Sequence, residues 1–393
     1  MIVLAGGDIV LPDRILTNAS LIIDKGRIAA IENARGTPPE ASVVNIQESY
    51  VVPGFVDVHV HGIEGHDALD GAGAIAEIAK RLPRYGVTAF CPTTVACAPA
   101  DLEVTLRQIA DARVRRAPGA ARVLPAHLES NFINPEYKGA QPAACLRVPT
   151  DERRDGEFSG RDVLDVIESR AADVGIVTVA PELDGALALI PRLVRAGHRV
   201  SLGHSAADYD QAVAAIDAGA RHATHLFNRM TPITHRAPGL AGAVLSHHEV
   251  KAELICDGFH VHAAMSQLAI AAKGVDGVMA ITDGTAGSGM PPGSITRLGG
   301  RPIRVSDQAA LLEDGTLAGS TLTMDRAFRN IVTLFHAAIT QAAIMCSTTP
   351  SRALGLTGFG VIAEGNVADL VVLDRAFRVV RTFIEGEEVY RAG

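Results

Sequence analysis

Both ends of the chain carry short apolar runs that are separated by turn residues. An Asp-Lys-Gly turn separates the runs at 20–23 and 27–31, and a Glu-Gly-Glu turn follows the runs at 368–373 and 377–385. Runs of this length between turns predict β-strands. Neither end has enough strands to bury a core by itself. We therefore predict one small β-sandwich domain, built from residues 1–52 together with residues 360–393.

The middle of the chain, residues 53–359, alternates strand-like apolar runs with alanine-rich helical stretches. Eight runs predict strands, at 54–60, 87–92, 123–128, 176–180, 199–202, 222–226, 252–256 and 278–282. Helical stretches between them include 74–84, 102–113, 161–172 and 208–218. This alternation is typical of an α/β protein with a parallel sheet, and eight repeats favour a closed (β/α)8 barrel of the TIM type. A doubly wound open sheet remains the alternative, because counting strands does not distinguish it from a closed barrel.

Composition narrows the class of protein. The 393 residues are 48% hydrophobic and 20% charged, which excludes a disordered chain, and the net charge of −8 argues against a nucleic-acid partner. The five cysteines form no CxxC pair, so neither a disulfide framework nor a cysteine zinc site is expected. The amino terminus lacks the features of a signal peptide, and no run approaches the roughly 20 apolar residues of a membrane span. We expect a cytoplasmic protein without a membrane partner.

Six residues with metal-binding side chains stand at the ends of predicted strands. His59 and His61 end the first strand, and Glu129, His204, His225 and Asp283 end the third, fifth, sixth and eighth. The carboxyl ends of barrel strands meet at one mouth, where barrel active sites lie. The two imidazoles of His-Val-His share one side of a strand because side chains alternate along it. Each residue alone is weak support, but the joint pattern predicts a metal site.

The nitrogen and oxygen donors of this set favour zinc, with iron as the alternative. The pattern leaves open whether one or two ions bind. We leave His127, His198, His222 and His336 as structural residues.

The segments that hold these residues resemble the amidohydrolase superfamily. Residues 53–62, PGFVDVHVHG, resemble its opening motif, and residues 365–374, GNVADLVVLD, resemble its last β-domain strand. Further segments are similar to the family of deacetylases that act on N-acetylglucosamine 6-phosphate. These segments are HLE at 127–129, LGHS at 202–205, ATHLFN at 223–228, PGLAG at 238–242, DGFHVH at 257–262 and LAGS at 317–320.

The resemblance implies a role for each matching residue. It implies a primary metal held by Glu129, His204 and His225, and a second ion at His59 and His61 that Glu129 would bridge. It makes Asp283 the catalytic acid and base. The implied substrate-binding residues are Gln141, Asn228, Arg229, Arg236 and His260. The implied substrate is a phosphorylated amino sugar, and the implied assembly is a homodimer in which Arg236 reaches the phosphate of the neighbouring subunit.

Three departures from the family pattern bear on the substrate. Ser130-Asn131 replaces a usual Gly-Pro, Gln141 replaces a histidine found in many members, and Arg229 replaces a smaller residue. They keep N-acetylgalactosamine 6-phosphate, or a related amide, open as the substrate. A non-catalytic sugar-phosphate sensor is the alternative from another class, and it is disfavoured because the ligands and Asp283 are intact. A cyclic-amide hydrolase is disfavoured because no lysine stands at the expected middle strand.

The segment at 282–298, TDGTAGSGMPPGSITRL, is rich in glycine, proline and serine. This composition is equally consistent with an ordinary barrel loop and with a mobile flap that shields the site from water.

Overall fold

A ring of eight parallel strands forms the centre of the molecule. The computed structural model describes residues 1–33, 41–71, 73–151 and 157–393. The barrel strands are Phe55–Val60, Val87–Thr94, Arg122–Val123 continued by Ala126–Leu128, Val174–Val179, Arg199–Leu202, His222–Ala223, Lys251–Ile255 and Val278–Ile281. Each neighbouring pair that shares a ladder is parallel.

The ring closes where the chain leaving the eighth strand meets the first. The main-chain N–H of Asp283 donates to the carbonyl of His59 at 2.9 Å, and that of His61 donates to Gly284 at 2.7 Å. Closure excludes the open-sheet alternative and confirms the predicted barrel fold.

The strand bounds differ from the prediction at two places. The third strand is interrupted next to Pro125, which has no N–H to give to a ladder. The sixth strand ends at Ala223 rather than at residue 226, because the backbone turns to positive φ at His225 and Phe227. The other predicted strands lie within a few residues of the observed bounds, and their side chains are almost all buried, as expected for a parallel sheet covered on both faces.

Helices surround the ring. The α-helices are Ala74–Arg81, Pro99–Val114, Gly160–Ser169, Ala186–Arg195, Tyr209–Asp217, Gly239–Ser246, Ala263–Lys273, Met324–Thr333, Ile339–Ala343 and Thr349–Leu354, with a π-turn at Ile344–Thr348. Short 3₁₀ turns are Leu82–Tyr85, Pro135–Tyr137, Ala143–Cys145, Ala171–Asp173 and Val275–Gly277. Capping boxes that begin at Ser159 and Asp208 fix the start of two helices. Within the described ranges no helix has both the length and the apolar character that crossing a bilayer requires.

The two chain ends together build a separate sheet. Its strands are Ile2–Val10, Ile15–Asp24, Arg27–Asn33, Ser42–Asn45, Tyr50–Pro53, Leu370–Leu373, Val379–Ile384 and Glu387–Arg391. The ends join where Tyr50–Pro53 pairs antiparallel with Leu370–Leu373. A core of its own, which includes Leu21 and Phe383, holds this sheet together. The chain enters the first barrel strand directly from it, and the exact domain boundaries stay predictions.

A small antiparallel sheet follows the eighth barrel strand and was not predicted. Its strands are Ile295–Leu298, Arg301–Val305, Ala309–Leu311 and Leu317–Ser320. Residues 282–288 are buried, and Gly284 forms bridges to Val60 and to Ser320. The first part of the 282–298 segment is therefore packed into the barrel mouth, and the second part enters the first strand of the added sheet.

Candidate metal centre and active site

A cavity of about 450 Å³ opens at the carboxyl ends of the barrel strands. This volume is in the usual range for small-molecule sites. His61, Glu129, His204, His225 and Asp283 line its floor. Gly62 follows the first two histidines where no side chain fits, since a Cβ there would lie 2.2 Å from the carbonyl of His66. The strand ends therefore bring the predicted ligands together at one point.

Three of these residues adopt backbone conformations that side chains usually avoid. The φ angles are +48° at His204, +28° at His225 and +48° at Asp283. A non-glycine residue held at positive φ costs on the order of 1–3 kcal/mol, and such residues concentrate at functional sites. Packing of the barrel mouth overcomes this cost and turns the three side chains towards the cavity.

The first group of ligands, here called the Glu129 cluster, contains Glu129, His204 and His225. Oε1 of Glu129 lies 2.8 Å from Nε2 of His204 and 2.8 Å from Nε2 of His225, and these two nitrogens are 3.0 Å apart. Burial by itself would raise the pKa of Glu129, but the imidazoles of His204 and His225 outweigh it and hold that pKa well below its usual range. Glu129 is therefore an ionised carboxylate at the centre of the site.

The second group, here called the His59 cluster, contains His59, His61 and Asp283. Nε2 of His59 is 3.2 Å from Nε2 of His61, and Oδ1 of Asp283 is 3.3 Å from both nitrogens. Oε2 of Glu129 lies 3.5 Å from Nε2 of His61, so the carboxylate of Glu129 stands between the two clusters. Burial works to raise the pKa of Asp283, yet the hydrogen bond to His61 and the charges of both imidazoles lower it overall.

Burial and the carboxylates of Glu129 and Asp283 also shift the pKa values of the imidazoles. Burial lowers the pKa of His59 to about 3, whereas Glu129 and Asp283 overcome burial at His61 and raise its pKa to about 9. Glu129 raises the pKa of His225 to about 9 against the effect of burial. The site thus collects imidazole nitrogens and ionised carboxylate oxygens in a buried place.

The donor set fits divalent metal ions. Nδ1 of His61 bonds to the carbonyl of Thr93 at 3.2 Å, and Nδ1 of His204 bonds to the carbonyl of Tyr137 at 2.8 Å. A carbonyl only accepts, so each Nδ1 carries a proton, and Nε2 is the ring nitrogen that can give its lone pair to a bound ion. Two nitrogens bound to one tetrahedral zinc at roughly 2.0–2.1 Å are about 3.3 Å apart, close to the observed spacings. The Glu129 cluster therefore offers a ligand set of the right type and spread, and so do His59 and His61 together with Glu129.

Two residues near His59 were not among the predicted site residues. Oε2 of Glu253, on the seventh barrel strand, lies 2.9 Å from Nδ1 of His59. His127 lies edge-on to His59, with Nδ1 donating to the carbonyl of Val58 at 3.0 Å and Nε2 3.0 Å from the hydroxyl of Thr178. His127 is thus a structural residue beneath the site. An acidic residue inside the apolar run KAELIC was the available signal for Glu253.

Four of the five predicted substrate-binding residues line the cavity, Gln141 among them. Gln141 is buried, where its carbonyl oxygen accepts the main-chain N–H of Ala96 at 2.7 Å and its amide nitrogen donates to Glu129. Asn228, Arg229 and His260 line the cavity. Nδ1 of His260 is 2.6 Å from a carboxylate oxygen of Asp257, and its Nε2 has no partner among the described residues.

Arg236 lies outside this cavity. Its side chain is exposed on the loop before the helix Gly239–Ser246, and it is absent from the described residues that line the cavity. The prediction that it serves a neighbouring subunit stays a prediction.

Fold and site together define a barrel hydrolase with a candidate divalent-metal centre. The chain belongs to the amidohydrolase family, whose model matches residues 50–389. It is 37% identical to N-acetylgalactosamine-6-phosphate deacetylase of Escherichia coli O157:H7, over 95% of each chain. It is 32% identical to N-acetylglucosamine-6-phosphate deacetylase of Bacillus subtilis, over 96% of this chain and 94% of that protein.

A solved structure shares the whole architecture. It is a mutant of N-acetyl-D-glucosamine-6-phosphate deacetylase from Mycobacterium smegmatis in complex with N-acetyl-D-glucosamine-6-phosphate. The TM-score is 0.88 at 33% identity, and the match covers 99% of both chains. The family resemblance found in the sequence is thereby confirmed.

Proposed function

We propose that this chain hydrolyses the N-acetyl amide of N-acetyl-D-glucosamine 6-phosphate to give D-glucosamine 6-phosphate and acetate. The observation that carries the proposal is the Glu129 cluster next to Asp283, on the floor of a cavity large enough for a sugar phosphate. Relatives that bear the name of this activity match almost the full chain at 32–34% identity. The reaction belongs to the breakdown of amino sugars.

The metal of this reaction is zinc in our proposal, with iron as the alternative. Glu129, His204 and His225 would hold one ion, and His59, His61 and Asp283 would complete a second position with Glu129 between them. A bound divalent ion polarises the amide carbonyl and lowers the pKa of water towards roughly 7. The imidazole nitrogens and the carboxylate oxygens of both clusters match the ligands that zinc prefers.

Asp283 is the acid and base of the proposed mechanism. Its neighbouring imidazoles lower its pKa, so it is ionised and ready to accept a proton from the attacking water. The same carboxyl then returns the proton to the departing amine nitrogen, which otherwise leaves badly. Asp283 is fixed for this task because its main-chain N–H and carbonyl bond to His59 and Ser320.

Gln141 and His260 orient the substrate in this proposal. The N–H of Ala96 occupies the carbonyl oxygen of Gln141, so the amide nitrogen is the end that faces the site. That nitrogen is a fixed donor that carries no titratable proton. His260 lines the cavity, and its Nε2, which has no partner among the described residues, would donate to or accept from a sugar hydroxyl.

The phosphate would be bound at the outer part of the cavity. Arg229 and Asn228 lie there, and a guanidinium fork suits phosphate oxygens. Arg236 would add a contact from the partner subunit of a homodimer.

N-acetylgalactosamine 6-phosphate is the second candidate substrate. One relative at 37% identity bears that name, and Arg229 and Ser130 depart from the usual family residues. The reaction would be the same and only the recognition of one sugar hydroxyl would differ.

Acetate release by the zinc-loaded protein tests the proposal. We would compare N-acetylglucosamine 6-phosphate, its galacto epimer and unphosphorylated N-acetylglucosamine. Fast turnover of the first alone is the expected result. Preference for the epimer would move the assignment to the second candidate. No acetate from any of them, with zinc bound, would refute the deacetylase assignment.

A further inference from the structure

The four imidazoles of the proposed metal centre differ in what holds them. Main-chain carbonyls hold Nδ1 of His61 and Nδ1 of His204. Nδ1 of His225 has no hydrogen-bond partner among the described residues. His59 alone of the four has its Nδ1 bonded to a side chain, that of Glu253. A side-chain substitution can therefore remove the support of His59.

Glu253 is placed to accept a hydrogen bond from His59. It is fully buried on the seventh barrel strand, and its Oε2 lies 2.9 Å from Nδ1 of His59 and 3.3 Å from the main-chain nitrogen of His225. The main-chain N–H of His225 can only donate, so this oxygen acts as an acceptor. The same oxygen therefore accepts a hydrogen bond from the Nδ1–H of His59. The lone pair of the neutral ring is then on Nε2.

Among the described residues, Nδ1 of His59 forms a hydrogen bond with Glu253 alone. The nearby carbonyl of Val58 already accepts from His127, whose ring lies edge-on to His59 with 4.6 Å between ring centroids. On the other side the ring of His61 is 5.1 Å away. The other atom of the Glu253 carboxylate, Oε1, lies 3.7 Å from Nδ1 of His127 and forms no hydrogen bond within the described part of the chain. The orientation of His59 thus depends on Glu253.

The geometry points to Glu253 as the positioning residue for the ion of the His59 cluster. This inference rests on the proposed metal centre and deepens it. By accepting the Nδ1 proton, Glu253 holds His59 in the tautomer and ring orientation that present Nε2 to that ion. The ion of the Glu129 cluster depends less on Glu253, because the carbonyl of Tyr137 fixes His204, and Glu253 reaches this cluster only through the 3.3 Å contact with the main-chain N–H of His225.

Replacement of Glu253 by leucine removes the acceptor and keeps a side chain of similar size. Loss of an outer partner of a metal-bound histidine costs roughly 10–100-fold in metal affinity. We expect E253L to bind the ion of the His59 cluster roughly 10–100-fold more weakly. The ion of the Glu129 cluster should bind with a much smaller loss, because only the contact with the main-chain N–H of His225 is removed there. E253Q keeps an oxygen that can accept both N–H groups, so it should stay within about threefold of wild type.

The measurement is zinc binding to the metal-free full chain, by calorimetric titration and by elemental analysis after gel filtration. E249L is the matched control, because it makes the same change at an exposed residue four positions earlier in the chain. It should bind zinc as wild type does. The ion retained by E253L in the Glu129 cluster reports that the barrel mouth has folded.

The zinc affinities of the variants decide whether Glu253 positions His59. Selective weakening of one ion in E253L, with recovery in E253Q, supports the inference. Wild-type binding of both ions by E253L overturns it, and so does the loss of both. A wild-type protein that binds a single ion also overturns it. If E253Q bound this ion as weakly as E253L does, the charge of Glu253 rather than its hydrogen bond to His59 would be responsible for the affinity. That result would refute the stated role. Acetate release by wild type tests the deacetylase assignment separately.

Discussion

Replacement of Asp283 by asparagine is the sharpest test of the proposed chemistry. The two side chains have nearly the same size, and the main-chain bonds of residue 283 to His59 and Ser320 do not involve the side chain. The barrel mouth should therefore keep its packing. The change removes an oxygen that can take up a proton and puts an N–H donor in its place, next to the imidazoles of His59 and His61.

The size of the effect follows from the lost proton transfer. A positioned acid or base contributes typically about 100- to 10,000-fold to a rate, which corresponds to roughly 3–5 kcal/mol in the barrier. We expect kcat of the D283N variant to fall at least 100-fold. KM should stay within about threefold, because the contacts of Asp283 are to imidazoles and to main chain, and the proposed phosphate contacts are elsewhere.

Acetate release and zinc content would be measured together on D283N. The control is D276N, which makes the same change at an exposed residue just before the eighth strand. D276N should keep the wild-type rate. If zinc-loaded D283N kept more than a tenth of the wild-type kcat, Asp283 would not be the acid and base, and the mechanism argued above would be wrong.

Three further predictions concern the pH dependence of stability, zinc binding and recognition of the phosphate. Burial raises the pKa of Asp57 to about 7. The folded metal-free protein therefore binds the extra proton between about pH 4 and 7, so this residue's contribution to stability falls as pH rises through that window. The stability of D57N relative to wild type should rise between about pH 4 and 7, by up to about 4 kcal/mol in urea unfolding, and a constant difference would contradict this. H204N should weaken zinc binding by more than roughly tenfold, and an unchanged zinc titration would remove His204 from the ligand set. R236A should raise KM for the phosphorylated substrate at least about tenfold, with unchanged zinc content, and loss of zinc as well would leave the phosphate role unsupported.

Much of the fold was accessible from local patterns. The alternation of apolar runs with helical stretches predicted eight parallel strands, and each has its counterpart in the structure. The turn signals at both ends predicted strands that build one small β-sandwich domain together, and the two ends do join where Tyr50–Pro53 pairs with Leu370–Leu373. The added sheet at 295–320 was missed because its strands have only three to five residues and its turns are rich in glycine. Short strands give little periodicity to detect.

The site was predictable to a different extent. The six candidate ligands were identified as residues at the ends of predicted strands, since the carboxyl ends of parallel barrel strands share one mouth. Glu253 was not named, because a single acidic residue in an apolar run says nothing about its partner. Its contact with His59 joins residues 194 positions apart in the chain. Likewise the orientation of the Gln141 amide depends on the N–H of Ala96, which no spacing reveals.

The sequence by itself determined the types of side chain at the mouth and the alternation that leads to a barrel, because both depend on neighbours along the chain. Only the tertiary structure decided that the ring closes, which nitrogen of each histidine faces the site, and that Glu129 stands between two clusters. These features depend on contacts between distant strands and on the backbone bends at His204, His225 and Asp283. Packing of the whole barrel stabilises those bends, and local preferences alone oppose them.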